Sequence, residues 1–173
     1  MRWLPFQLNP DLPPAGISRA DYIARKWGPG KAASDIYSRV SGVGRQVGIA
    51  FAFDKITVQP NTLEAHRLLL YAEKQGRQDA LSEELFKAYF IEGGNLTDRD
   101  TLVDVGARAG LDAEALRAYL ESDQDREVVL RADVEARQAG IGGVPFFIFN
   151  RKVGVSGAQE AHTLLEAMEE AAK

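Results

Sequence analysis

The sequence predicts an α/β protein in which a short strand opens the chain, a long helical stretch fills the middle, and a hairpin with one helix closes it. Three observations carry this. "RWLPFQL" gathers Trp3, Leu4, Phe6 and Leu8 into one run that the proline and glycine of "NPDLPPAG" cut off. From Ser18 the apolar period becomes helical. "VPFFIFN" and "KVGVSG" are two apolar runs joined by Asn150-Arg151, a hairpin dipeptide whose second residue is not the usual glycine.

Taken in order, Ser18 with Asp21 resembles a capping box with a shorter acid and opens a helix that Gly28-Pro29-Gly30 stops. A second helix is expected from Lys31 to Val47. "ITVQPNTLEAHRLLLYAEKQG" turns into a third, with Asn61 or Thr62 as N-cap, Gly76 as stop, and Leu63, Ala65, Leu69 and Leu70 on its apolar face. Helices follow over Leu81–Ile91, Asp98–Arg108 and Asp112–Glu121, punctuated by Gly93-Gly94 and Gly110. A charged helix over Asp125–Ala139 leads to the hairpin. The last helix, Gln159–Ala172, is amphipathic through Ala161, Leu164, Leu165 and Met168.

A chain of 173 residues with 45% hydrophobic and 27% charged residues has the composition of a soluble globular domain long enough to bury a core. Its net charge of −4 gives no general attraction to nucleic acid or an anionic membrane, so neither is an expected partner. No stretch reaches the roughly 20 apolar residues of a membrane span, and "MRWLPFQLNP" lacks the pattern of a secretory signal. A cytoplasmic location is the expectation. There are no cysteines, hence no disulfide, thiolate metal site or cysteine nucleophile among these residues.

Two glycine-rich stretches imitate phosphate sites. "GPGK" has Arg25 where the phosphate loop needs its first glycine and Ala32 where it needs a hydroxyl, and "GVGRQVG" sets its third glycine one place late with no strand before it. His66 and His162 have no histidine at ligand spacing, so no metal site is expected. No carboxylate pair stands out as an acid–base couple, and no catalytic residue is assigned.

Pro145 raises a sharper question, since it stands where "GGVPFFIFN" should begin a buried strand and has no N–H to give. It is either a tolerated first strand residue or a cis turn; from the residues alone the first is favoured, because only about one X-Pro bond in twenty is cis.

In order and spacing, "WLPFQLNPDLPP", "QPNTLEAHRLLLYA", "GGVPFFIFN" and "VGVSGAQ" resemble the FrnE-like branch of the DsbA family of thioredoxin-fold thiol-disulfide oxidoreductases, over nearly the whole chain. The resemblance implies a thioredoxin-like fold, residues 1–16 and 140–173, interrupted by an all-helical insertion over 17–139. It implies a cis bond before Pro145, and a substrate loop of Gly143, Val144 and Pro145 whose backbone pairs with an extended peptide or a small thiol ligand. In the related glutathione-using isomerases and transferases, such as 2-hydroxychromene-2-carboxylate isomerase, the turn at Ser156, Gly157, Ala158 and Gln159 meets the carboxylate end of the ligand. Glutathione is therefore admitted as ligand or co-substrate, with no resident cofactor. Either that turn offers backbone donors at a helix N-terminus, or Ser156 simply caps the helix. Asn9 borders the same cleft or serves only its turn. A homodimer is compatible with all of this.

The resemblance also implies that a complete member begins with a strand and a helix opened by Cys-x-x-Cys, or by a serine in the glutathione-using relatives. This sequence begins at the equivalent of the second strand. The expectation is a natural start upstream of Met1, with a shifted or exchanged strand as alternatives, and a chain that is inactive by itself in thiol–disulfide exchange. A glutathione-dependent enzyme and a non-catalytic peptide- or thiol-binding module are the other readings.

Overall fold

The computed structural model describes residues 1–28 and 32–173. Pro29, Gly30 and Lys31, which carry part of the expected helix stop and the expected start of the second helix, lie outside the described residues.

Several helices begin where short polar side chains offer an acceptor. At α1 (Arg19–Trp27), Ser18 Oγ accepts from the Asp21 N–H at 3.0 Å and donates its own proton to Asp21 Oδ2 at 2.7 Å. α2 covers Ala32–Gln46. α3 (Leu63–Lys74) has Thr62 as its N-cap, but the work is done by Asn61: its Oδ1 accepts from Leu63 N–H at 3.0 Å while Nδ2 donates to Leu12 O at 2.7 Å. That second bond ties the proline-rich turn to the helix. α4 (Gln78–Lys87) begins ahead of the expected Leu81 and runs into a π-helical turn at Ala88–Glu92. α5 (Arg99–Arg108) and α6 (Ala113–Glu121) are capped by Asp98 and Asp112, which accept from Thr101 and Ala115 N–H at 3.0 and 2.7 Å. α7 spans Arg126–Gln138.

A two-residue ladder that the sequence did not announce joins β1 (Ile17–Ser18) to β2 (Val58–Gln59) and pins the start of α1 beside α3. Gly16 is required there. Its φ is +70°, and a Cβ would lie 2.4 Å from Gln59 O.

The core lies among α3, α4, α5 and α6, where Leu68, Leu81, Leu102 and Leu116 are fully covered. Burying each contributes about 1.5–3 kcal/mol. Among them sits Arg67, also fully covered, whose guanidinium donates to the carbonyls of Gln124 at 2.8 Å, Tyr119 at 3.0 Å and Ser122 at 2.6 Å and pairs with Glu64 at 2.5 Å. Those carbonyls belong to the last turn of α6 and to the residues just past it, so the buried charge fixes the chain from inside the core as it leaves the helix.

Chain ends meet a different environment. β3 (Phe146–Phe149) pairs antiparallel with β4 (Val153–Ser156), and α8 (Ala161–Ala172) packs on both. Ala171 is the one buried apolar residue that this unit contributes among the described residues, and β3 has β4 as its sole neighbour there.

The strand expected at Trp3–Leu8 is not a ladder strand: among the described residues this extended segment joins no sheet. Helix side chains satisfy its backbone instead. Gln78 Oε1 accepts from Trp3 N–H at 2.9 Å and Gln78 Nε2 donates to Trp3 O at 3.0 Å. Further along, Gln7 N–H donates to Asp133 Oδ1 at 2.7 Å, and Arg137 Nη2 donates to Gln7 O at 2.5 Å. Between them His66 Nε2 donates to Phe6 O at 3.1 Å, which makes Nδ1 the acceptor; that atom is covered and has no partner among the described residues. Burial pushes the His66 pKa below its ordinary value, against the opposing pulls of Phe6 O and the Asp133 charge.

Candidate ligand-binding loop

The loop before β3 is launched by a helix stop. Gly140, at φ +85°, donates to Arg137 O at 3.0 Å, and Ile141 N–H reaches back to Ala136 O at 3.0 Å, the paired bonds of a Schellman motif. Gly142 and Gly143 follow, then Val144 and Pro145, joined by a cis peptide bond. Val144 is 49% exposed.

What lies around the two glycines is informative. Neither has a left-handed φ, and a Cβ built on either would find nothing within 4 Å. Neither backbone conformation of that kind nor packing among the described residues demands glycine at these positions.

Behind the loop, the hairpin is fixed at both ends. Asn150 and Arg151 have φ of 47° and 58°, and Lys152 N–H donates to Phe149 O at 2.9 Å, which is the primed turn expected of that dipeptide. Asn150 Nδ2 donates to Ala171 O at 3.1 Å, docking the hairpin tip on the end of α8. Gly154 lies under the Phe146 ring, 3.0 Å from where a Cβ would stand. At the open end, Gly157 N–H donates to Pro145 O at 2.8 Å. The Gly143–Pro145 loop and the Ser156–Gln159 turn are therefore neighbours.

Two details of the turn differ from expectation. α8 begins at Ala161, not at Gln159, and its N-cap is Glu160 without a side-chain cap bond, so Ser156 does not cap it. The reason is local. Gly157 spends its N–H on Pro145 O, and Gln159 Nε2 donates to Ser156 O at 2.9 Å, which holds the residues before Glu160 as loop. Of the backbone donors expected to meet an anion, Gly157 N–H is thus already engaged. Asn9 lies in the turn closed by Leu12 N–H to Asn9 O at 3.3 Å, with no bond to the Pro145 loop among the described residues.

The clamp on residues 3–7 was not foreseen as such. Asp133 and Arg137 lie in the helix that reads as charged, and Gln78 lies ahead of the expected start of its helix, so no local pattern marks them. Gln78 and Asp133 are 7% and 5% exposed.

With this geometry in place, comparison with known proteins is direct. Residues 1–169 match the model of the DSBA-like thioredoxin domain, and the chain belongs to that family. The uncharacterized protein YwbO of Bacillus subtilis is 24% identical over 158 residues, covering 88% of this chain and 73% of YwbO. The crystal structure of a probable DsbA oxidoreductase from Streptomyces coelicolor superposes with a TM-score of 0.86 at 29% identity, over 96% of this chain and 72% of that one. A candidate protein disulfide isomerase from Nitrosomonas europaea shares the fold, with a TM-score of 0.66 at 15% identity over 80% of this chain and 72% of that one.

Proposed function

We propose that this chain is the ligand-binding body of a DsbA-like thiol–disulfide oxidoreductase of the FrnE-like branch, holding an extended peptide, or a small thiol such as glutathione, along Gly143, Val144 and Pro145. The observation that supports it is the pair of unencumbered glycines, Gly142 and Gly143. Their missing side chains serve no contact among the described residues, and they leave the approach to the half-exposed Val144 open to a second chain, as strand addition requires. Ser156, Gly157 and Gln159 border that approach; Asn9 serves its own turn.

Exchange needs a thiolate that attacks one disulfide sulfur while the other leaves as a thiolate. These 173 residues contain no cysteine, so the attacking sulfur comes from outside them or from a bound thiol. The cysteine-free sequence also supports the plainer reading of a binding module that holds its ligand without chemistry.

The test is fluorescence anisotropy of a labelled unstructured peptide, with glutathione as competitor, on the chain and on Gly143→Val. The expected result is measurable peptide binding, weakened at least about tenfold by the valine, which would stand where the ligand backbone passes. Equal binding by both proteins would overturn the assignment. Insulin reduction by the purified chain alone should stay at background.

A further inference from the structure

Arg137 belongs to two structures at once. Its side chain grips the N-terminal segment: the guanidinium donates to Gln7 O at 2.5 Å and to Asp133 Oδ2 at 2.9 Å, and its carbon stands 4.5 Å from the centre of the Phe6 ring. Its backbone holds the start of the ligand loop, Arg137 O accepting from Gly140 N–H while Ala136 O accepts from Ile141 N–H, both at 3.0 Å. Among the described residues no hydrogen bond runs directly from residues 3–8 to residues 140–145, so the last turn of α7 is the link between them. The hydrogen-bonded tethers of the loop are that turn and the bond from Gly157 N–H to Pro145 O.

The same grip contains a proton site that the proposed binding leaves unused. His66 Nε2 donates to Phe6 O at 3.1 Å, and the covered Nδ1 has no partner among the described residues. A protonated ring would carry an N–H at Nδ1 with nothing to accept it, and a charge that burial disfavours. The groups around it do not offset that penalty. From α7, Asp133 attracts the charge but is already bound to Gln7 N–H and to Arg137, which Asp11 also attracts; the N-terminal segment offers the Phe6 carbonyl; on α3 itself Glu64 and Arg67 pair with each other. We propose, resting on the ligand-binding reading of Gly143–Pro145, that Arg137 is a positioning residue for that loop and His66 its acid switch: a proton on the ring detaches Phe6 and Gln7, and α7 loses the grip that keeps its last turn wound. Residues freed there have to be ordered again when a ligand binds, which lowers affinity. His66 titrates below its ordinary 6.5 in the folded chain, so the held state is full above about pH 6.5 and gives way as pH falls through the folded value.

Amide hydrogen exchange of the full chain at about pH 7.5 and about pH 5.5 tests the switch without a ligand. Protection factors of Gly140 and Ile141 should fall at least about fivefold at the lower pH while those of α5 hold. His66→Gln should abolish the fall, His162→Gln should not, and Arg137→Met should show low protection of these two amides at both pH values. Binding is read beside it, by anisotropy of a capped, rhodamine-labelled peptide without ionisable side chains. Wild type should bind it about fivefold more weakly at the lower pH, and His66→Gln equally at both. Protection that does not fall in wild type, that falls equally in His66→Gln or that survives Arg137→Met would overturn the proposal, as would a peptide affinity indifferent to pH. An absence of peptide binding at the higher pH, beside the expected exchange steps, would instead strike the ligand-binding reading and leave Arg137 and His66 as the switch of this loop's order.

Discussion

One carboxamide, that of Gln78, reads both backbone groups of Trp3, accepting from its N–H at 2.9 Å and donating to its C=O at 3.0 Å. A neighbouring strand would make the same pair of bonds. Asp133 and Arg137 repeat the device on Gln7, so the N-terminal segment is held extended by side chains alone.

Replacing Gln78 with leucine keeps the apolar stem and removes both bonds, leaving the half-buried Trp3 amide unpaired. The expected cost is about 1–3 kcal/mol in urea unfolding. Trp3 fluorescence should shift toward the solvent-exposed value before the helical core unfolds. A fully cooperative transition with unchanged midpoint would contradict the clamp.

His66 makes the same clamp sensitive to acid. Its folded pKa lies below the ordinary 6.5, so the unfolded chain takes up its proton first as pH falls. The stability that the neutral ring contributes is fully present above about pH 6.5 and is lost progressively below it. His66→Gln retains a donor for Phe6 O and should flatten the stability profile between about pH 5 and 7 relative to wild type. An identical slope in both proteins would count against it.

Arg67 fixes the chain as it leaves α6, with its charge wholly inside the protein. Arg67→Ala takes the guanidinium donors from the Gln124 and Ser122 carbonyls, leaves Tyr119 O with its bonds from Ser122, and leaves Glu64 with Arg126 as its remaining partner. A loss of about 3–5 kcal/mol is expected, and Arg67→Lys should recover only part of it, because an ammonium cannot span the same fork. Denaturant midpoints of the three proteins decide the matter.

Hydrogen exchange should divide the molecule. Amides of α3, α5 and α6, which surround the covered leucines, should be protected to near the global unfolding free energy; those of β3, β4 and α8, with Ala171 as their one buried apolar residue, should exchange at least about tenfold faster. Equal protection of both would show a cover on the hairpin unit.

Much of the helical framework could be read from local chemistry. Ser18 announced a cap that forms, and Asn150-Arg151 announced its turn, because each effect acts within a few residues; Asp98 and Asp112, read as the first residues of their helices, stand one place ahead of them as caps. Trp3–Leu8 was read correctly as extended and wrongly as a ladder strand. Alternation of large side chains specifies an extended backbone, whereas its partners are single side chains at positions 66, 78, 133 and 137 that no local pattern singles out. α4 starts at Gln78 because Gln78 and Asp79 belong to the helix without sharing its apolar period. The late start of α8 has a similar origin, in a tertiary bond between Gly157 and Pro145 that the period cannot reveal. At the candidate loop, the sequence offers Gly143, Val144 and Pro145 as a stretch; that Gly157 bonds Pro145 while Asn9 closes its own turn required the fold.

The most direct test of the central claim is a nitrogen-15 correlation spectrum of the chain titrated with an unstructured peptide. Peptide-induced shifts should centre on Gly143, Val144 and Phe146 and extend to Ser156 and Gly157, with α3 to α6 unmoved. Shifts confined to the helical core, or none at Val144 while the peptide is bound, would contradict a ligand-binding role for this loop.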